Sequence, residues 1–235
     1  NSNTKAIMPV HLFGNPCDMS IIKKLATKYD LFIVEDCAQA HLAEYDNNLV
    51  GTFGIASSYS FFPGKNLGAY GDAGCILTND QNFALKCRMF ARHGAIKKHD
   101  HIIEGVNSRM DNLQASILNV KINYLQEWTE KRRSIASMYD DELNNLPIGL
   151  IKNIPKSISS YHLYVITTDY RDELKDYLQT NGISSAIHYP KIIPLQPAYK
   201  KYSYTEEDFP VGYKMQSKIL SLPIFPELTE NELIY

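Results

Sequence analysis

The stretch Asp30-Leu31-Phe32-Ile33-Val34-Glu35-Asp36 indicates the fold class of this 235-residue chain. Its four consecutive apolar residues, enclosed by charged ones, predict a strand buried on both faces of a parallel sheet. On either side of it, short apolar runs alternate with amphipathic helical patterns. They predict strands at residues 6–13, 57–62 and 74–78, and helices at residues 19–28 (capped by Asp18) and 82–92. This alternation indicates an α/β architecture, with ligands bound beyond the carboxyl ends of the strands.

The second half of the chain begins with a long helical pattern. Residues 109–146 contain neither Gly nor Pro, and their apolar side chains recur at helical spacing, which predicts one long helix or two nearly in line. Beyond it a smaller α+β region is predicted, with strands at 161–168 and 183–188 and helices at 171–181 and 212–220. We therefore predict a large domain, residues 1–130, and a small C-terminal domain, residues 131–235, connected by the long helix.

Composition excludes several classes of function. The 24 Lys and Arg residues nearly balance the 26 Asp and Glu residues, so the net charge is −2. This near-neutral charge does not indicate binding to nucleic acid or to an anionic membrane. No apolar run approaches the roughly 18–20 residues of a membrane-spanning helix. The cysteines form no Cys-x-x-Cys pair and are interpreted as reduced thiols rather than metal ligands, which predicts a cytoplasmic protein. The abrupt apolar start after Asn1 favours an internal stretch of a longer polypeptide.

Three residues that can do chemistry follow the predicted strands of the first half. Asp36 directly follows the buried strand, where a carboxylate can hold a cationic ring nitrogen protonated; capping of the next helix explains it equally well. Lys65 follows a Pro-Gly turn among apolar neighbours, which lower the pKa of an amine and suit it to forming Schiff bases, although most loop lysines are simply exposed. The Ser60 hydroxyl suits a phosphate oxygen.

Two further features lie later in the chain. Asn107 and Arg109 stand just before the long helix and suit phosphate or carboxylate groups, although capping and solvated charge would also explain them. His188 and Tyr189 end a predicted strand and are held by Pro190. A single His in such a position is more often structural than functional. No set of residues has the spacing of a metal site.

Together these motifs identify a family. Asp36-x-Ala38-Gln39, then Ser60 with Pro63-Gly64-Lys65-Asn66, then Asn107-Ser108-Arg109-x-Asp111 resemble the pyridoxal-phosphate sugar aminotransferases of the DegT/DnrJ/EryC1/StrS family. The likeness runs over residues 9–223. It implies the aspartate-aminotransferase-like fold (fold type I), with a mostly parallel sheet in the large domain and a smaller α+β C-terminal domain. It also implies that the N-terminal part of the large domain is absent from this chain.

The resemblance implies a role for each matching residue of the first half. Lys65 is the catalytic lysine, which carries pyridoxal 5′-phosphate and shuttles the proton between the donor and the cofactor. Asp36 pairs with the pyridinium nitrogen and keeps the ring an electron sink. Gln39 contacts the ring on its 3-hydroxyl side, and Ser60 binds the phosphate.

Other roles depend on a partner and on the substrate. Family members are homodimers with shared active sites, so Asn107 is expected to reach the cofactor of the partner subunit, and Arg109 to reach phosphate or substrate. His188 and Tyr189 match a family position near the sugar. The amino donor implied by the resemblance is glutamate, and the acceptor is a nucleotide-linked keto sugar.

The loop of residues 62–74 is similar to that of members that aminate C3 of dTDP-3-keto-6-deoxyhexoses, in pathways to bacterial surface polysaccharides such as lipopolysaccharide O-antigen. Three departures leave the sugar open: Phe62 and His99 stand where Tyr is common, and Leu42 where Gly is usual. A C4 ketosugar or a UDP-linked sugar is an alternative. So are a regulatory homologue without catalysis and a nucleotide-sugar binding module, although the latter lacks a Gly-x-Gly-x-x-Gly motif.

Overall fold

The computed structural model describes all 235 residues and divides into two compact units. The first comprises residues 1–133 and 153–162, and the second residues 134–152 and 163–235. No helix has the length and apolar character needed to cross a membrane.

The strands are β1 (Ala6–Ile7), β2 (Phe32–Asp36), β3 (Glu44–Tyr45), β4 (Asn48–Leu49), β5 (Ala56–Ser60), β6 (Gly74–Leu77), β7 (Ala95–Lys97), β8 (Asp100–His101), β9 (Gly149–Leu150), β10 (Ser157–Ile158), β11 (Tyr164–Thr167) and β12 (Ile219–Leu222). The α-helices are α1 (Met19–Tyr29), α2 (Gln81–Phe90), α3 (Asn112–Lys121), α4 (Leu125–Leu143), α5 (Arg171–Thr180), α6 (Pro210–Gln216) and α7 (Glu230–Ile234). Short 3₁₀ helices span Leu12–Gly14, Ile122–Tyr124, Ile193–Leu195, Pro197–Tyr202 and Glu206–Asp208.

The main sheet of the first unit has the strand order β1-β2-β5-β6. The first three strands are parallel and β6 is antiparallel to β5, which confirms the predicted α/β fold with a mostly parallel sheet. In this register Asp36 lies opposite Ser58, and Ser60 lies opposite Gly74. The carboxyl ends of β2 and β5 therefore meet at one edge of the sheet, where the predicted site residues follow them.

The strand quoted at the outset forms, but its burial differs from the prediction. Ile33 and Glu35 are buried, whereas Phe32 is 60% exposed. Successive side chains of a strand point to opposite faces of the sheet. The face of Ile33 packs in a core with Met19 and Ala26 of α1, while the face of Phe32 is open to solvent in this chain. Burial on both faces was therefore a wrong prediction here.

The segment before the first helix is less extended than predicted. The strand expected at residues 6–13 ends at Ile7. Pro9 has no N–H for a ladder, Val10 pairs with Asp36 only as a single bridge, and the chain then turns at Phe13 and Gly14, where φ is 64° and 91°. Helix α1 follows as predicted. The Asp18 side chain accepts a hydrogen bond from the backbone N–H of Ile21 at 3.0 Å and caps the helix.

The long helical pattern folds as two helices. Helices α3 and α4 are joined by the 3₁₀ turn Ile122–Tyr124, and α4 ends at Leu143, before Pro147. Of the two predicted alternatives, one long helix or two, the structure has two.

The second unit contains an antiparallel sheet of order β12-β11-β9. Two predictions in this region were wrong. Residues 183–188 form no strand; only Ala186 pairs, with Ser221, and Pro223 lacks the N–H that would extend the ladder. The helix predicted at 212–220 is α6, which ends at Gln216. Its last predicted residues instead begin β12, because pairing with β11 buries Ile219 and Leu220. The strand predicted at 161–168 begins only at Tyr164.

Candidate active site

An open cleft of about 2040 Å³ lies in the first unit. Its lining includes four of the residues singled out from the sequence, Ser60, Lys65, Asn107 and Arg109. Ser60 ends β5, Lys65 lies on the loop between β5 and β6, and the other two precede α3. The tertiary structure therefore brings together motifs that are up to 49 residues apart in sequence.

Lys65 is half-buried, and burial lowers the pKa of its amine although the Asp36 carboxylate opposes the shift. Its backbone N–H donates to the Phe62 carbonyl at 2.8 Å, which closes the turn predicted from Pro63-Gly64. A lowered pKa increases the fraction of neutral amine, the form that attacks a carbonyl. The environment of Lys65 is therefore that of a nucleophilic lysine.

The loop that carries Lys65 is also held by helix α3. The Gln114 side-chain oxygen accepts the backbone N–H of Tyr70 at 2.8 Å, and the Lys121 amine donates to the Gly68 carbonyl at 2.5 Å. Gly68 is required for this close packing, since a Cβ there would lie 2.3 Å from the Pro63 carbonyl oxygen. The loop after Lys65 is thus a fixed part of the first unit.

Asp36 is the last residue of β2 and lies at the carboxyl edge of the sheet. One of its carboxylate oxygens accepts the backbone N–H of Ala38 at 3.0 Å. This contact holds the carboxylate at the start of a turn; no helix begins there, so capping of a following helix does not explain Asp36. Its negative charge raises the pKa of the Lys65 amine, against the larger, lowering effect of burial.

Gln39 is buried, and its amide is oriented by the backbone. Its side-chain oxygen accepts the N–H of Phe13 at 2.6 Å. An N–H group can only donate, so the oxygen of the carboxamide must face Phe13 and the nitrogen lies at the opposite end. The left-handed conformation of Phe13 is part of this arrangement and was not visible in the sequence.

The remaining predicted residues fall into three places. The Ser60 hydroxyl accepts the N–H of Phe62 at 3.3 Å at the end of β5. Asn107 and Arg109 are both exposed. They form a hydrogen bond in which Nε of Arg109 donates to the Asn107 side-chain oxygen at 3.2 Å. His188 and Tyr189 belong to the second unit, where Nδ1 of His188 lies 2.8 Å from the Ser221 hydroxyl.

His41 was not assigned a role from the sequence. It is only 4% exposed, its ring packs against Tyr59 and Phe61 with centroids 5.4 and 5.7 Å away, and neither ring nitrogen has a hydrogen-bond partner. Burial, and then the charge of Lys65, lower its pKa to about 4. His41 is therefore neutral at physiological pH. Its apolar neighbours Ala40 and Leu42 were the sequence signal for a buried His.

A second buried ionisable group is Glu35, which precedes Asp36 on β2. Its carboxylate accepts the backbone N–H groups of Gly51, Phe53 and Gly54 at 2.7–2.9 Å and lies 3.2 Å from Nε2 of His11. Burial opposes ionisation of Glu35, but these hydrogen bonds outweigh it and lower its pKa. Glu35 thus ties the loop before β5 to β2. Its position beside Asp36 in the sequence gave no indication of this role.

The sequence matches the DegT/DnrJ/EryC1/StrS aminotransferase family over residues 1–235. The chain belongs to this family. It is 44% identical over 236 residues to a "pleiotropic regulatory protein" of Geobacillus stearothermophilus, covering 99% of this chain and 63% of that protein. It is 39% identical over 232 residues to the dTDP-3-amino-3,4,6-trideoxy-alpha-D-glucose transaminase of Streptomyces venezuelae, covering 98% of this chain and 61% of the relative.

The fold agrees with solved structures of the DegT/DnrJ/EryC1/StrS family. The crystal structure of S. venezuelae DesV in complex with a ketimine intermediate superposes with a TM-score of 0.95 at 38% identity, covering 100% of this chain and 63% of that one. The fold is therefore that of the pyridoxal-phosphate-dependent sugar aminotransferases. The chain spans about 61–63% of the length of the curated relatives described above.

The first unit has the donor set that the family's cofactor, pyridoxal 5′-phosphate, requires. The cofactor needs an amine for its aldehyde, an anion for its ring nitrogen and polar donors for its phosphate. The lowered pKa of Lys65, the Asp36 carboxylate that acts on it and the Ser60 hydroxyl in the same cleft as Lys65 meet these needs. The residues present fit the cofactor.

Proposed function

We propose that this chain forms part of an aminotransferase that moves an amino group from glutamate to a nucleotide-linked keto sugar, at C3 of a dTDP-3-keto-6-deoxyhexose. The observation that carries this proposal is the amine of Lys65: it is half-buried, burial lowers its pKa against the opposing charge of Asp36, and Lys65 lines the same cleft as Ser60. The S. venezuelae relative is named as a dTDP-3-amino sugar transaminase, which supports amination at C3 of a dTDP-linked sugar. The surface-polysaccharide destination remains an expectation from the family.

The bound cofactor would supply an electron sink for the carbon that loses its proton. Lys65 would hold the cofactor through its amine and then, once released, move a proton between the donor carbon and the cofactor's C4′ atom. Because burial lowers the pKa of the amine, a larger fraction of Lys65 is neutral and able to accept that proton. The Asp36 carboxylate would keep the ring nitrogen protonated, Gln39 would orient the ring, and Ser60 would bind the phosphate.

The proposed substrate contacts come from two pairs of residues. Arg109 carries a planar guanidinium suited to phosphate or carboxylate groups, and its exposure with Asn107 supports a role at the active site of a partner subunit. His188 and Tyr189 are proposed to contact the sugar. Their rings pack edge to face with centroids 5.5 Å apart, and this contact orients the two rings relative to each other.

The assembly we propose is a cytoplasmic homodimer with shared active sites. Residues 1–130 would form the C-terminal portion of its cofactor-binding large domain, and residues 131–235 its small domain. The end of the first stretch of the first unit at residue 133 supports a boundary near residue 130, whereas residues 153–162 pack with the first unit. The near-neutral charge supports a small-molecule substrate rather than nucleic acid.

A second candidate function is regulation without catalysis, which the 44% identity to a protein named as a pleiotropic regulator favours. Within the catalytic proposal, Phe62, His99 and Leu42 depart from the common family residues and support testing C4 and UDP-linked ketosugars beside the dTDP-linked C3 substrate.

The deciding experiment is an absorbance spectrum of the full-length protein with pyridoxal phosphate, before and after glutamate. The catalytic proposal requires a band in the violet that shifts to shorter wavelength with glutamate. Lys65→Ala should remove the band and turnover with a keto sugar while the fold is retained, and Lys24→Ala, at an exposed lysine of α1, should leave both intact. Absence of a band in the wild-type protein would favour the regulatory function.

A further inference from the structure

The residue after Lys65 connects its loop to a distant part of the first unit. Asn66 is 6% exposed, although the preceding Pro63 and Gly64 are exposed. Its side-chain nitrogen donates to the backbone carbonyl of Ser160 at 3.0 Å, and its side-chain oxygen lies 3.0 Å from Nδ1 of His162. These partners are 94 and 96 residues away in sequence.

The chemistry of the partners determines the orientation of this amide. A backbone carbonyl can only accept, so the nitrogen of Asn66 must face Ser160 and its oxygen must face His162. The Nδ1 atom of His162 must therefore carry a hydrogen, which it donates to Asn66. When both the oxygen and the nitrogen of a buried amide form hydrogen bonds, loss of either bond destabilises the fold, because it leaves a desolvated polar group without a partner.

The same segment also reaches the turn that contains Gln39. The Ser160 hydroxyl donates to the backbone carbonyl of Gln39 at 3.3 Å, and the Ser159 hydroxyl donates to the carbonyl of Gly14 at 2.9 Å. The packing is tight, since a Cβ at Gly14 would lie 2.5 Å from the Ser160 hydroxyl oxygen. Residues 159–162 thus contact two loops that bear proposed cofactor ligands.

We propose that Asn66 is a positioning residue for Lys65: by bonding to Ser160 and His162 it holds the Lys65 loop so that the amine stays half-buried and aimed into the cleft. This inference rests on the proposed function for its consequence in catalysis, but its structural part does not depend on it. Loss of the Asn66 contacts would let the loop relax and expose the amine to water.

The first measurement is the pH dependence of Lys65 acetylation by acetic anhydride in the cofactor-free full-length protein, followed by peptide mass spectrometry. In Asn66→Ala the midpoint should rise towards that of an exposed lysine, because burial is what lowers it. Asp36 and His41, the titratable groups that interact with the Lys65 charge, are unchanged in this variant. In the cofactor-loaded enzyme kcat should fall about tenfold while KM for glutamate changes less than about twofold.

Two variants of His162 and one of Ser160 make the test specific. His162→Ala removes one bond to Asn66 and should shift the midpoint in the same direction, whereas His162→Asn retains a donor near the position of Nδ1 and should restore it. Ser160→Ala keeps the backbone carbonyl that Asn66 uses and should leave the Lys65 midpoint unchanged. If Asn66→Ala does not fold, the acetylation midpoints of His162→Ala and His162→Asn test the positioning role instead.

An unchanged midpoint in Asn66→Ala and His162→Ala, with only a lower melting temperature, would overturn the positioning role. A wild-type protein that gives no absorbance band with pyridoxal phosphate would instead overturn the proposed function. The acetylation midpoint would still report whether Asn66 positions the lysine.

Discussion

The buried ring of His41 predicts a specific loss of stability in mild acid. In the folded protein its pKa is about 4, against 6.5 for an ordinary His, because the ring is buried and lies near the Lys65 charge. Between these two values the unfolded chain binds a proton that the folded chain does not. The stabilisation is therefore fully present above pH 6.5 and is lost as the pH falls through 6.5 towards 4.

The size of the effect follows from the pKa difference. At about 1.4 kcal/mol per pKa unit, the complete loss below pH 4 is about 3 kcal/mol, and the loss between pH 7 and pH 5 is about 2 kcal/mol. Other groups titrate in this range as well, so a matched variant is needed. In His41→Phe an aromatic ring still packs against Tyr59 and Phe61 but binds no proton.

The assay is urea denaturation of the full-length protein at pH 7 and pH 5, followed by circular dichroism. The free energy of unfolding of the wild-type protein should fall between these pH values by about 2 kcal/mol more than that of His41→Phe. His99→Asn, at an exposed His, should behave as the wild type does. Equal losses in the wild type and in His41→Phe would refute the conclusion that His41 is held neutral.

Three further predictions concern the carboxylates and the subunit arrangement. Asp36→Asn should lower kcat about 100-fold with the protein still folded, because a neutral amide holds a ring proton less well; unchanged kinetics would remove Asp36 from the proposed role. Glu35→Gln should lower the free energy of unfolding by about 3 kcal/mol in urea denaturation, because its amide turns a donor towards backbone N–H groups; a stability equal to that of the wild type would contradict this. Mixing inactive Arg109→Ala and Lys65→Ala subunits should recover about a quarter of wild-type turnover through hybrid dimers, whereas no recovery would assign Arg109 to its own subunit.

Local patterns in the sequence determined much of the first unit. The apolar run ending at Val34 predicted β2, Asp18 predicted the start of α1, and the absence of Gly and Pro predicted α3 and α4. These signals act over a few residues, because propensity, capping and periodicity depend on near neighbours. The ordered motifs around Asp36 and Lys65 identified the family for the same reason, since each is short and contiguous.

Only the tertiary structure decided the remaining features. Residues 219 and 220 were predicted as the end of a helix, but they begin β12 because pairing with β11 buries Ile219 and Leu220. The neutral state of His41 depends on rings that pack around it and on the nearby Lys65 charge. The sequence by itself thus determined the family and indicated which residues could form the candidate site. Packing between segments about 100 residues apart, as between Asn66 and His162, determined how Lys65 is held, because no local pattern encodes which distant polar group will meet it.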